Sequence, residues 1–340
     1  MRMTTRRVAM LGLALGLALG LGTAAAPARA ADQVTVQLDW VVRGDHAMFF
    51  VGRDKGFFAK HGIDVTSIQK GSGSVNTLRF VGNGNATFGF ADLPTLAVAR
   101  SEGVPAVALV AVNERSPLAM ISIKKTHPLT KPADLKGLNI GITPAGSTYV
   151  FFKAFLKANG LTEADVKEST VSPPYENYLL LGHVDVIPGY LDAEVPELEA
   201  KAGGPGSLSI LQGADYGWKV LGTGLLTSDK MIKEKPDVVK RFVAGYMEAF
   251  HWVIAHPKEA VDITAKDNPE YADKKDVLMA QLESDIKSTF TDADTKKYGL
   301  GYMTKASWEA TVNTLKDQGV LKAPVKLDEL YTDKFLPKMH

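Results

Sequence analysis

Apolar positions between Val34 and Asp64 change period three times. Val34 to Leu38 is a short apolar strand. A polar run follows, Asp39 to Asp45, with Trp40 and Gly44 among its residues. His46 to Phe58 then takes a helical spacing that stops at Gly62, and a second strand starts at Ile63. This is strand, loop, helix, strand, and the loop lies just past the carboxyl end of the first strand, where open α/β sheets place their ligands. Trp40, Arg43 and His46 fall on or beside that loop.

Strand and helix patterns alternate to about Ile210, the mark of α/β layers around a largely parallel sheet. After Ile63–Gln69 comes the turn-rich KGSGSVN, then a helix through Val81 broken by GNGN. Thr87–Phe90 reads as a buried strand, Asp92 and Pro94 open a helix, and Pro105–Val112 and Leu118–Ile123 are further strands. The basic, Pro-containing KKTHPLTKPADLKG, Lys124 to Gly137, reads as a crossing into a second lobe. That lobe repeats the first, with strand Leu138–Ile142, loop Thr143–Gly146 and helix Ser147–Asn159. Trp218 to Thr227 reads as the return. The expected division is residues 31–123 and 224–340 in one lobe and 124–223 in the other. The last third is helical. Val238, Val239, Phe242, Val243, Tyr246, Phe250, Val253 and Ile254 form a stripe that reads as core.

The first thirty residues stand apart. Arg2, Arg6 and Arg7 precede an uncharged Leu/Ala/Gly-rich run of about 15 residues, Val8 to Gly22, where a membrane span needs about 20. Ala28-Arg29-Ala30 then forms a small-x-small site. This reads as a secretory signal peptide cleaved near Ala30. The 340 residues include no cysteine, which excludes disulfides, thiol nucleophiles and lipidation at an N-terminal Cys. Without the four Arg of the leader, 35 basic residues face 38 acidic ones, a net charge of about −3. Nothing there favours nucleic acid or an anionic membrane.

The candidate chemistry is that of binding. Trp40 can stack a flat ligand, and His46 can donate to a ring nitrogen or carboxylate. Arg43 can clamp an anion. Gly71-Ser72-Gly73-Ser74 opens one helix and Gly146-Ser147-Thr148-Tyr149 another, at equivalent places in the two lobes. Ser74, Ser147, Thr148 and Tyr149 are therefore candidates to grip a ligand from both sides. Neither run is a P-loop, because GxxxxGK[ST] is absent. Asp92 either bonds a ligand N–H or simply caps its helix. Tyr190 ends a strand and can stack, and Glu194 can accept from a ring N–H. Tyr216 and Trp218 flank the return crossing and can wall a cleft. The seven His are scattered, with no HExxH, and there is no GxSxG. No metal, cofactor or catalytic group is expected.

LDW with a downstream His, then KGFFAKHGIDV, resembles periplasmic solute-binding proteins similar to thiamin-pyrimidine synthases. That group is related to the nitrate, sulfonate and taurine binders of ABC importers. GSGSVNTLRFVGNGNATFGFADLPTLAVARSEGVPAVALVAV, VDVIPGYLDAEVPELEA and the DYGW segment extend the resemblance over nearly the whole chain after the leader. It implies a type II periplasmic binding protein fold, two α/β lobes joined by two crossings with the ligand between them. It also implies a periplasmic monomer that delivers its ligand to an inner-membrane permease. The relatives most similar by motif bind aromatic heterocycles such as pyrimidine precursors of thiamin, or riboflavin. The first loop departs from the family's usual Pro-Asn and reads Val41-Val42-Arg43-Gly44-Asp45. A small anion such as a sulfonate, nitrate or carboxylate is the alternative ligand. An enzyme on the same fold is a further one: fungal pyrimidine synthases of this type consume a His that His46 resembles, beside a cysteine cluster that this chain lacks.

Overall fold

The computed structural model describes residues 30–337. The expected leader and its cleavage site lie outside the described residues, apart from Ala30. Among the described residues ten strands form two five-stranded sheets. The first contains β1 (Asp32–Gln37), β2 (Ile63–Gln69), β3 (Phe88–Asp92), β4 (Ala106–Ala111) and β10 (Thr223–Ser228), in the order β2-β1-β3-β10-β4. The second contains β5 (Leu118–Ile123), β6 (Asn139–Ile142), β7 (Lys167–Thr170), β8 (Val186–Tyr190) and β9 (Leu208–Gln212), in the order β7-β6-β8-β5-β9.

The two sheets share one plan. In each, the first three strands pair in parallel, and the fourth strand in order, β10 or β5, runs antiparallel to both its neighbours. That antiparallel strand is the one that follows a crossing. The chain leaves β4 at its carboxyl end, enters the other sheet at the same end, and can only run away from it. The registers agree: Leu118 at the start of β5 faces Tyr190 at the end of β8, and Thr223 at the start of β10 faces Asp92 at the end of β3. The carboxyl ends of both sheets thus meet at one cleft.

This placement of β5 corrects the expected lobe boundary. The crossing is the short segment 112–117, and the basic stretch from Lys124 to Gly137 lies wholly within the second lobe, joining β5 to β6. The physical reason is that LAMISI is buried on both faces, so its apolar pattern is the same whichever sheet receives it. The return segment between β9 and β10 contains Trp218, buried, whose indole N–H donates to Ser116 Oγ of the first crossing at 2.9 Å.

The helix Pro236–Ala255 covers the first sheet, and its stripe is buried from Val238 to Val253. Phe242 stacks between Phe58 (4.8 Å) and Phe88 (3.7 Å). The helix Leu93–Ser101 starts where Asp92 accepts from Thr95 N at 2.9 Å, with Pro94 in its first turn. None of the helices among the described residues is long and apolar enough to cross a membrane.

Candidate functional site

Two helix starts and one strand-end loop close the cleft. Gly73, at φ +132°, lies where an added Cβ would sit 2.2 Å from the Ala145 carbonyl oxygen of the other lobe. Only a glycine lets the lobes meet there, and Val75 N then donates to Ala145 O at 3.2 Å. From the first lobe the cleft receives Asp39, Trp40, Arg43 and Ser74. From the second it receives Ser147, Thr148, Tyr175, Tyr190 and Glu194. About 20 Å³ remains between them, room for about one water.

Asp39 is the polar hub. Its Oδ1 accepts from His46 Nε2 at 3.0 Å, and its Oδ2 accepts from Arg43 Nη2 at 3.0 Å and from Ser74 Oγ at 3.5 Å. Burial opposes ionisation of Asp39, but the Arg43 charge and the bonds from His46 and Arg43 outweigh it and hold the pKa below the ordinary value. Arg43 also pairs through Nε with Asp45 at 2.8 Å. Its guanidinium lies over the Tyr190 ring at 5.3 Å and the Phe90 ring at 5.9 Å. The cation of the cleft is thus already held by two carboxylates.

The aromatic walls cross the lobe boundary. Trp40 packs edge-on against Tyr175 at 5.5 Å and belongs with the apolar cluster of the second lobe. Tyr190 Oη and Ser147 Oγ share a 2.6 Å hydrogen bond. Glu194 Oε2 accepts from Tyr190 N at 2.5 Å, and the Tyr175 hydroxyl also bonds the carboxyl. Burial, then the neighbouring Glu176, pushes Glu194 up to about 8, so it holds a proton at neutral pH.

Of the residues singled out from the sequence, Trp40, Arg43, Ser74, Ser147, Thr148, Tyr190 and Glu194 line the cleft. Four do not. His46 is fully buried behind it, accepting from Arg43 N at Nδ1 (3.3 Å) and donating to Asp39 from Nε2, so it positions Asp39. Asp92 is spent on the helix cap, accepting from Thr95 N and from Thr95 Oγ1 at 2.6 Å, and burial pushes it up to about 7. Tyr149 lies outside, under Lys153 Nζ at 4.5 Å, in a surface groove. Tyr216 packs edge-on to Phe155 and donates to Thr130 O at 3.4 Å, away from the cleft. Trp218 ties the crossings together and walls nothing. Asp39 and Tyr175 complete the lining without having been singled out. Among the described residues no group of three His, Asp or Glu is placed to hold a metal ion.

Residues 43–260 match the family model described as NMT1/THI5 like. The riboflavin-binding protein RibY of Chloroflexus aurantiacus is 27% identical over 320 residues, covering 92% of this chain and 90% of that protein. The formylaminopyrimidine-binding protein of Halalkalibacterium halodurans is 24% identical over 308 residues, covering 89% and 90%. A Candida albicans protein described as having the generic periplasmic binding protein fold superimposes with TM-score 0.68 at 13% identity, over 91% of this chain and 98% of that one. The two-lobed architecture is therefore the periplasmic binding protein fold.

Proposed function

This chain belongs to the NMT1/THI5-like family, and from that premise we propose that it is the substrate-binding component of an ABC importer. In this reading it works in the periplasm and delivers a small flat heterocycle bearing N–H or amino groups to an inner-membrane permease. One observation carries the choice of ligand: the cleft offers aromatic faces and carboxyl groups, while its cation is already paired twice. Trp40, Tyr175 and Tyr190 supply faces, and Asp39 and Glu194 supply acceptors. Arg43, bonded to Asp39 and Asp45, leaves no surplus positive charge for a sulfonate or nitrate.

The mechanism is capture by closure. The remaining 20 Å³ is far below a ring, so the lobes part at segments 112–117 and 213–222 to admit one. Closure is favoured only as far as the ligand prefers the closed form. Binding without turnover is the reading supported by His46, which lies behind the cleft with both ring nitrogens engaged, and by the lack of any cysteine to act beside it.

Native mass spectrometry of protein purified from its host, followed by denaturing release, tests the reading. A co-purified heterocycle supports it. Binding confined to sulfonates, nitrate or carboxylates in a calorimetric screen overturns it, and conversion of a bound pyrimidine overturns the non-catalytic part. Trp40→Ala should weaken the captured ring about 5- to 150-fold, the range for loss of one ring–aromatic stack of about 1–3 kcal/mol. Undiminished affinity refutes the stacking role.

A further inference from the structure

One side chain outside the cleft lining bonds to both lobes. Gln281 is buried on the helix Lys275–Ser288. Its Oε1 accepts from Gly44 N of the first loop at 3.1 Å, and its Nε2 donates to Ala193 O of the second lobe at 2.9 Å. We propose that Gln281 is the latch of the closed form, a positioning residue that keeps the lobes together without lining the ligand cleft. The proposal rests on capture by closure, as argued above, and names the residue that sets how long the lobes stay shut.

The two bonds are not equivalent. Leu278, Leu282 and Phe290 pack in the core of the first lobe. The helix backbone presses on the first loop so closely that a Cβ on Gly44 would lie 2.5 Å from Leu282 N. The helix therefore travels with the first lobe, and the bond to Gly44 survives opening. The bond to Ala193 crosses to the second lobe and has to break when the lobes part. Ala193 stands between Tyr190 and Glu194, so this bond also fixes the short segment that brings both side chains to the cleft.

Its place along the helix gives the bond leverage. Gln281, Asp285 and Thr289 recur every fourth residue and share one face. Thr289 is tied to the first crossing: its Oγ1 accepts from Asn113 Nδ2 at 2.7 Å, and its carbonyl accepts from Glu114 N at 2.8 Å. Asp285 accepts from the same Asn113 at 2.7 Å. Gln281 is two turns beyond Thr289, about 12 Å along the helix at 1.5 Å per residue. Of the three it is displaced most when the second lobe turns about the crossing. Asp285 also bonds Asp192 of the second lobe, carboxyl to carboxyl, a contact that needs a proton. The Gln281 amide does not titrate, so its hold needs none.

The test compares wild type with Gln281→Met, which removes both bonds at nearly constant volume, and with Gln281→Leu as a second variant. Spin labels on cysteines introduced at the exposed Phe80 and Leu181, on opposite lobes, report the interlobe distance at pH 7.5. Stopped-flow tryptophan fluorescence gives association and dissociation rates for riboflavin and for 4-amino-5-hydroxymethyl-2-methylpyrimidine. In both variants the ratio of closed to open protein should fall about 2- to 13-fold, the net worth of one buried neutral hydrogen bond. Dissociation of the bound probe should quicken by the same factor, and association should stay within about twofold. Distances and dissociation rates within twofold of wild type in folded variants overturn the latch. So does slower association at unchanged dissociation, which would make Gln281 a brace for the first loop alone. If neither probe binds folded wild type, the ring-binding reading falls and the distances still decide the latch. A shift to the longer distance in the variants then supports it, and an unmoved distribution, or a wild type that shows the longer distance alone, overturns it.

Discussion

Raising the pH should part the lobes, and Asp285→Asn should abolish that response. Asn113, in the first crossing, is where both crossings and both lobes meet. Its Nδ2 donates to Asp285 Oδ1 (2.7 Å), Thr289 Oγ1 (2.7 Å) and Asp192 Oδ2 (3.2 Å), and Thr223 of β10 donates to its Oδ1. Asp192 follows β8 in the second lobe, and Asp285 lies on the helix Lys275–Ser288. The two carboxyls are buried and bonded to each other, so one must keep a proton. Burial raises both, and Asp285, with Asp192 beside it and Asp45 adding, goes well above the ordinary range. Arg43 acts on Asp192 in the opposite sense.

The sign follows from which form holds the proton. The closed form keeps it on Asp285, whereas an opened, hydrated carboxyl releases it near pH 4. Closed-state stability is therefore full below the ordinary carboxyl range. It falls by about 1.4 kcal/mol per pH unit above that range, until the pH passes the closed-state pKa. With both groups ionised, charges about 4 Å apart repel by about 4 kcal/mol at an effective dielectric of about 20, roughly a thousandfold in the closure equilibrium. The absence of cysteine permits a direct assay. Cysteines introduced at Phe80 and Leu181, exposed by 43% and 72% on opposite lobes, take spin labels for pulsed-dipolar distances between pH 5.5 and 9. Wild type should pass from a short to a longer distance as the pH rises, and Asp285→Asn should stay short. A wild-type distribution that does not move, or one that moves equally in the variant, refutes the argument.

Two other perturbations test parts of the structure on their own terms. Gly73→Ala should hold the lobes open, because its Cβ meets Ala145 O at 2.2 Å from a backbone at φ +132°; the same spin labels would report a long distance and any ligand affinity should fall at least tenfold, and a closed distance would show that the lobes meet elsewhere. Glu114→Gln should stabilise the protein at alkaline but not acidic pH. Burial, then Asp292, Asp294 and Asp333, pushes Glu114 up to about 9, so the fold loses stability as the pH rises from about 4.5 towards 9, roughly 4 kcal/mol by pH 7.5. The variant should melt several degrees above wild type at pH 8 and close to it at pH 4.5, whereas parallel curves would show that Glu114 titrates as a solvated group.

The architecture was legible wherever period and strand ends decide the matter. The alternation of strands and helices marked the α/β layers, and the rule that ligands sit beyond strand carboxyl ends pointed to Trp40, Ser74, Ser147 and Tyr190, which the geometry brings to one cleft. What failed was direction and partnership. Tyr149 follows Ser147 and Thr148 at a helix start, and one residue is about 100° of rotation, enough to carry it out of the cleft. His46 and Asp92 carry the right chemistry, but His46 Nε2 is turned to Asp39 and Asp92 Oδ2 to Thr95, a choice no local pattern announces. Asp39 reads as one more polar residue of a loop, because its partners at Arg43 and His46 are met only once the chain turns through Gly44–His46. Tyr175 reaches Trp40 from 135 residues along the chain, and β5 changes sheet without changing its pattern.

The proposed ligand class is set more by charge than by shape. A cleft that opens and closes can adjust its volume, so the 20 Å³ of the closed form excludes little by itself. Arg43 is less adjustable. It is buried, and both Asp39 and Asp45 are buried with it. An anion using Arg43 would have to displace one of them and leave that carboxylate unpaired, at a cost of about 3–5 kcal/mol. A millimolar ligand binds with only about 4 kcal/mol, so the displacement would cancel most of a modest affinity. A ring that brings N–H groups meets acceptors already in place at Asp39 and Glu194 and disturbs no ion pair. The departure of the first loop, Val41-Val42-Arg43-Gly44-Asp45, thus carries its own counter-charge: the same loop that brings Arg43 also brings Asp45 to pair with it.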